Sequence, residues 1–387
     1  MDLLETLIVL SEKAARIARL IRKDEHLFGL LVEQKDQDHA NPRFFQDFKT
    51  LADVLIQQMI KHFLELKLIY SWIILSPHPL QLFILLVLSK IQEANFRKLQ
   101  FPGIADRVRG EENNTFCNTL GDKITVDIKK TSEETADLLE NVLNGDKKAS
   151  LLLAEEVHRS IDMKDVNTKS FDDDTLELDV NQIGIWIDPI DSTAEYINAS
   201  SDNSGERQSG LNCVTILIGV YSIESEESIM GVINQPFSNF EENCWTGECI
   251  WGVCFNSTSL SSLNIPATRT HVAYLSSSED EDVKLQLRNM GYTIKEAAGA
   301  GNKILKVIKN QGDCYILSKS TTFKWDTCGP QAILRSLGGD IVTYTEAVCN
   351  RVISVKYPHD VGCEKDASNF GGLLAFRITD VLDDFVR

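Results

Sequence analysis

The stretch Trp186-Ile187-Asp188-Pro189-Ile190-Asp191-Ser192-Thr193 decides how this chain is read. The apolar run at 183–188 predicts a strand ending at Asp188, and Ala194-Glu195-Tyr196-Ile197 predicts a helix beginning just after Thr193. Two carboxylates three residues apart at a strand end can both reach one cation or bridge two, and Pro189 stiffens the turn between them. Ser192 and Thr193 would sit at a helix N-terminus, where free backbone N–H groups favour a phosphate. The plainer reading is that these Asp, Ser and Thr side chains only cap the helix.

Further acidic pieces weaken the plainer reading. Gly110-Glu111-Glu112 sets two adjacent carboxylates after a glycine, and Trp325-Asp326-Thr327 sets an Asp at the start of a second predicted helix. Taken singly, the first reads as a surface loop and the second as an N-cap. Asp53 lies among Leu51, Val54, Leu55 and Ile56 on a largely apolar predicted helix, so its carboxylate needs a partner.

Outward from these residues the chain has a mixed pattern. Leu4, Leu7, Ile8, Ala14, Ala15, Ile17, Ala18 and Ile21 recur at helical spacing, and a second amphipathic helix is predicted over residues 45–66. Thr131 and Glu134 form a capping box for a helix that Asn144-Gly145 closes. Strand-like runs follow at 183–188, 213–221, 230–235 and 249–254. After about residue 264, short apolar strands alternate with helices, which predicts an α/β unit. The expected organisation is two packed domains, 1–264 carrying most of the acidic residues and 265–387 completing the site.

Composition limits the function. The chain has 387 residues, 43% hydrophobic and 25% charged, with a net charge of −18. Such a surface repels phosphate backbones, which argues against nucleic-acid binding and against anionic membranes. A phosphorylated small molecule remains possible where metal ions or a few lysines invert the local potential. Nine cysteines are scattered without a C-x-x-C pair, and the seven His show no metal-ligand spacing, so reduced thiols in a cytoplasmic setting are expected. Gly299-Ala300-Gly301-Asn302-Lys303 lacks the spacing of a P-loop.

Glu-Glu at 111–112, Asp-Pro-Ile-Asp-Ser-Thr at 188–193 and Trp-Asp at 325–326 together resemble, in order and rough spacing, the lithium-inhibited, magnesium-dependent phosphomonoesterases. That superfamily holds the inositol monophosphatases, fructose-1,6-bisphosphatases, bisphosphate nucleotidases and inositol polyphosphate 1-phosphatases. The chain is most similar to the last branch, through FKTLADVLIQ, IGIWIDPIDST, CVTILIGVY, MGVINQPF, AAGAG and TTFKWDTC. The resemblance implies a fructose-1,6-bisphosphatase-like α-β-α-β-α layered sandwich. It also implies a monomeric enzyme removing the 1-phosphate of inositol 1,4-bisphosphate and inositol 1,3,4-trisphosphate, with two or three Mg2+ ions and with Li+ as inhibitor. The alternatives are a 3′(2′),5′-bisphosphate nucleotidase or a catalytically impaired relative.

Carried over residue by residue, the resemblance makes Glu111, Asp188 and the Ile190 carbonyl ligands of one metal. Asp188, Asp191 and Asp326 become ligands of a second, with Glu112 as an outer acidic position. Thr193 paired with Asp53 is the implied water-activating couple. Asp191, Ser192, Thr193, Ser278, Gly299, Ala300 and Lys303 are the implied substrate contacts, with Lys303 reaching a second phosphate or else standing as a solvated helix lysine. Asp280 stands where the resemblance implies a substrate-facing lysine.

One segment departs from the pattern. Residues 68–88 are dense in Leu and Ile and long enough to span a bilayer, but Pro77 and Pro79 break the helix that would require. A single span would also separate Asp53 from Glu111. The family's short connection here is about 30 residues longer. The expectation is an insertion foreign to the fold at about 67–100, such as translated intron, with no stable membrane insertion.

Overall fold

The structure is a computed structural model that describes residues 2–23, 28, 32–34, 48–75, 107–118, 120–169, 178–199, 209–361 and 364–386. Its N-terminal half opens with helix α1 (Asp2–Lys23), strands β1 (Val32–Gln34) and β2 (Phe48–Thr50), and helix α2 (Leu51–Leu75). Strands β3 (Val108–Gly110), β4 (Thr115–Cys117) and β5 (Lys123–Thr125) precede helices α3 (Ser132–Val142) and α4 (Lys147–His158). Strand β6 (Ile183–Asp191), helix α5 (Thr193–Asn198) and strands β7 (Thr215–Ser222), β8 (Ser228–Glu241), β9 (Cys244–Phe255) and β10 (Thr258–Ser261) follow.

The C-terminal half alternates. It runs β11 (Val272–Leu275), α6 (Glu281–Asn289), β12 (Thr293–Glu296), α7 (Ala300–Ile308), β13 (Cys314–Leu317), α8 (Lys324–Ser336), β14 (Asp340–Val342), α9 (Tyr344–Ala347) and β15 (Leu373–Phe376).

Two sheets form the frame, one in the order β10-β9-β8-β7-β6-β3 and one in the order β12-β11-β13-β15-β14. Three apolar clusters fill the spaces between layers. The first packs α1, α2, α3 and α4 on one face of the larger sheet, and all eight periodic residues of α1 are buried in it. The second joins the other face, through Trp186, Leu217, Tyr221, Ile233 and Ile250, to α7, α8 and the smaller sheet. The third closes the far side of the smaller sheet with Leu287 of α6 and Tyr344 of α9. The result is the expected α-β-α-β-α layering, and the second cluster draws on residues from both sides of position 264.

Helix α2 begins at Leu51, not at residue 45, because Thr50 and Asp53 cap it reciprocally. Asp53 N–H donates to Thr50 Oγ1 (3.3 Å), and Thr50 N–H donates to Asp53 Oδ2 (2.6 Å). The helix continues to Leu75, so the first residues of the apolar stretch extend it. The rest of the expected insertion, from residue 76, lies outside the described residues. Among the described residues, no helix is long and apolar enough to cross a membrane, and the cysteines are free.

Candidate functional site

Strand β6 is buried along its whole length, yet it ends in two aspartates. In a regular strand, residues three apart point to opposite faces. Here Asp188 pairs with Leu217 and Asp191 with Thr215, so β6 carries one residue more than β7 over this interval. That bulge at Pro189 and Ile190 re-aims the strand end and brings the two carboxylates together. Helix α8 supplies the third carboxylate. It lies against sheet backbone because a Cβ on Gly231 would sit 2.0 Å from Gly329 O, and one on Gly219 would sit 2.2 Å from Gly329 N. Asp326, in the first turn of α8, accepts from Phe323 N–H (2.6 Å) and is thereby aimed across the gap. Asp188, Asp191 and Asp326 offer oxygens that all lie within 4.8 Å of one another.

The electrostatics of this group fit a cation. Burial, and then the charges of Glu111, Asp191, Asp326 and Asp53, push the Asp188 carboxyl well above the usual carboxylate range. Burial first, and then Asp191, does the same to Asp326. Asp191 is raised by burial, with Lys303 and the Thr215 hydrogen bond opposing. Asp188 Oδ1 is buried without a hydrogen-bond partner. An orphaned carboxylate oxygen among like charges is a costly arrangement in a bare protein and a suitable one around a metal ion. The donors are hard oxygens, which suits Mg2+.

Beside this cluster, Thr193 Oγ1 donates to Asp53 Oδ1 (3.3 Å) and to the Ile190 carbonyl (3.0 Å). Asp53 is fully buried, and its other oxygen is held by Thr50 N–H and Thr50 Oγ1, both at 2.6 Å. The partner that Asp53 needed is therefore the pair Thr50 and Thr193. Ser192, between the aspartates and α5, is left-handed (φ 73°), a strained state for a residue with a Cβ, and its Oγ is buried without a partner.

Gly299 and Ala300 lie against Asp191. Ala300 N–H donates to Asp191 Oδ1 (3.3 Å), and Gly301 N–H and Thr215 Oγ1 donate to Oδ2 (3.0 Å each). Gly299 is at φ 78°, and a Cβ there would sit 2.3 Å from Ser192 Oγ. Lys303 is not a solvated lysine. It is 1% exposed, and its Nζ donates to the Ala297 carbonyl (3.2 Å) and lies 4.9 Å from the Tyr315 ring centroid. Ser278 is exposed, at the end of β11.

Glu111 and Glu112 approach through β3, which pairs in parallel with β6; Glu111 N–H donates to the Ile187 carbonyl (3.2 Å). Gln57 fixes this turn, its Oε1 accepting from Glu112 N–H (2.9 Å) and its Nε2 donating to the Glu112 carbonyl. Gln57 and Thr215 escaped the sequence reading. Gln57 follows Asp53 by one helical turn, so its position on the same face was a usable signal. Thr215 was a polar residue opening an apolar strand.

Comparison with known proteins adds to this geometry. The profile described as "Inositol monophosphatase family" matches residues 97–372. An inositol polyphosphate 1-phosphatase of Mus musculus is 39% identical over 417 aligned positions, covering 100% of this chain and 96% of the relative. A 3′(2′),5′-bisphosphate nucleotidase 1 of Homo sapiens is 30% identical over 190 positions, covering 48% of this chain and 58% of the relative. Among solved structures, a Thermotoga maritima IMPase covers 100% of this chain and 97% of its own at 15% identity and a TM-score of 0.48.

Proposed function

The chain belongs to the inositol monophosphatase family, and from that premise we propose a substrate, a cofactor and a set of residue roles. It is a metal-dependent phosphoric monoester hydrolase acting on inositol phosphates. The finer reading is removal of the 1-phosphate from inositol 1,4-bisphosphate and inositol 1,3,4-trisphosphate. The full-length likeness to the inositol polyphosphate 1-phosphatase supports it over the nucleotidase, whose likeness stops near half of the chain. A cytoplasmic setting accords with the scattered cysteines, which form no C-x-x-C pair.

The observation that carries the reading is the carboxylate cluster Asp188, Asp191 and Asp326 beside the Thr193–Asp53 pair. Asp188, Asp191 and Asp326, with Glu111, Glu112 and the Ile190 carbonyl nearby, would hold Mg2+. Bound there, the metal would polarise the phosphoryl group and lower the pKa of a water molecule. The chain's own groups do the rest. Thr193 spends its hydroxyl proton on Asp53 and Ile190, which leaves an oxygen lone pair to accept a hydrogen bond from the attacking water. Asp53, locked by Thr50, fixes the direction of that lone pair. Ser192 Oγ and the backbone N–H groups of Ser192 and Thr193 hold the scissile phosphate, and Ser278, Gly299 and Ala300 border the ring. Lys303, buried behind Asp191, offsets part of the negative charge of the cluster.

The test is phosphate release from inositol 1,4-bisphosphate, inositol 1,3,4-trisphosphate and adenosine 3′,5′-bisphosphate, with Mg2+, with chelator and with Li+. Mg2+-dependent release from the two inositol substrates, with uncompetitive Li+ inhibition, is expected. Full activity in excess chelator, or preference for the nucleotide, would overturn the reading.

A further inference from the structure

The substrate proposed above carries at least one phosphate besides the scissile one, and an acidic protein must supply a cation to receive it. Strands β12, β11 and β13 are neighbours in the smaller sheet and run in parallel, so their carboxyl ends open on one side. Ligands of such sheets bind outside the carboxyl ends of the strands. The loop after β12 meets the carboxylate cluster there, through Ala300 and Gly301 on Asp191. The three loops read Ser276-Ser277-Ser278-Glu279-Asp280, Ala297-Ala298-Gly299 and Ser318-Lys319-Ser320-Thr321-Thr322-Phe323. Lys319 is the one cation among them.

Its position is set by its neighbours. Glu279, 4% exposed, accepts from Ser318 N–H (3.1 Å) and Ser318 Oγ (2.5 Å), which clasps the loop after β13 to the loop after β11. Lys319 Nζ then donates to the Ser278 carbonyl (2.7 Å) and pairs with Asp280 Oδ1 (3.0 Å). Both side chains of that ion pair are exposed, 41% for Lys319 and 59% for Asp280. An exposed pair of this kind is weak and readily exchanged for a stronger anion. A phosphate dianion is such an anion, and a lysine ammonium binds it as a point charge.

We propose that Lys319 is a substrate-specificity residue that takes a non-scissile phosphate of an inositol polyphosphate, and that Asp280 is the anion this phosphate displaces. The inference rests on the functional reading above.

The two members of the pair then have opposite effects. With the full chain and inositol 1,4-bisphosphate, Lys319→Ala raises KM about tenfold, the scale of one charge-assisted hydrogen bond, while kcat changes far less. Asp280→Ala lowers KM, because the competing carboxylate is gone. If the pair were only a clasp between loops, both substitutions would move KM in the same direction or leave it unchanged, and either result would overturn the proposal. A wild-type chain inactive on inositol 1,4-bisphosphate would overturn the functional reading and this inference together. An active wild type whose variants fail the opposite-sign test would overturn the inference alone.

Discussion

The hydroxyl of Thr193 and the carboxylate of Asp53, 140 residues apart in sequence, lie 3.3 Å from each other. One comes from the first turn of α5 after the bulged strand, the other from the first turn of α2. Because Asp53 also caps its own helix through Thr50, its orientation does not depend on Thr193.

If the two act as a unit, their losses do not add. Thr193→Ala should lower kcat by roughly a hundredfold, the lower range for loss of a positioned acid–base group, with KM little changed. Asp53→Asn keeps the shape of the cap and should lower kcat to a similar extent. The double variant should be no slower than the slower single one, and additive losses in steady-state kinetics would separate the pair.

Asp188 trades stability for metal binding. Its orphaned oxygen and like-charged neighbours burden the metal-free protein. Asp188→Asn should therefore melt higher than wild type in chelator and gain less from added Mg2+. It should also lose about a hundredfold or more in kcat. Thermal melts with and without Mg2+ check the first statement; a variant less stable than wild type in chelator would contradict it.

Gly299 and Gly291 form a matched pair. Both have positive φ, 78° and 88°, but a Cβ on Gly299 meets Ser192 Oγ at 2.3 Å and Asp191 Oδ2 at 2.9 Å, whereas one on Gly291 meets nothing within 4 Å. Ala at either position should cost about 1 kcal/mol of backbone strain. Only Gly299→Ala should also displace Asp191 and cut activity by at least about tenfold. Equal activity of the two variants would show that the close approach is immaterial.

Acid should weaken the C-terminal half through Asp313. Burial pushes this carboxyl up, but Thr270 N–H, Thr270 Oγ1, Arg269 Nε and His271 N–H donate to it and together hold it below the usual carboxylate range. A depressed folded pKa means the carboxylate stabilises the fold above its unfolded pKa, near 4, and that this stability is lost as pH falls through the folded value. Asp313→Asn should cost about 3 kcal/mol at pH 7, with the gap to wild type narrowing below about pH 4 in urea unfolding. A gap independent of pH would assign the effect to packing.

What the sequence determined by itself was local. The face of α1, the Thr131 cap and the chain positions of Asp188, Asp191 and Asp326 follow from helical and strand periods and from capping chemistry, which act over a few residues. The layered fold was legible through the family pattern. Tertiary structure decided how these parts meet. The bulge that turns Asp188 and Asp191 to one side depends on the register of β7, and the reach of Asp326 depends on α8 resting on glycine backbone in β7 and β8. The burial of Lys303 was not legible, because helical spacing alone does not show that Tyr315 of the smaller sheet covers its face. Lys319 gave no sign in sequence, since its partners Ser278 and Asp280 belong to a strand end some forty residues earlier, brought alongside by parallel pairing of β11 and β13.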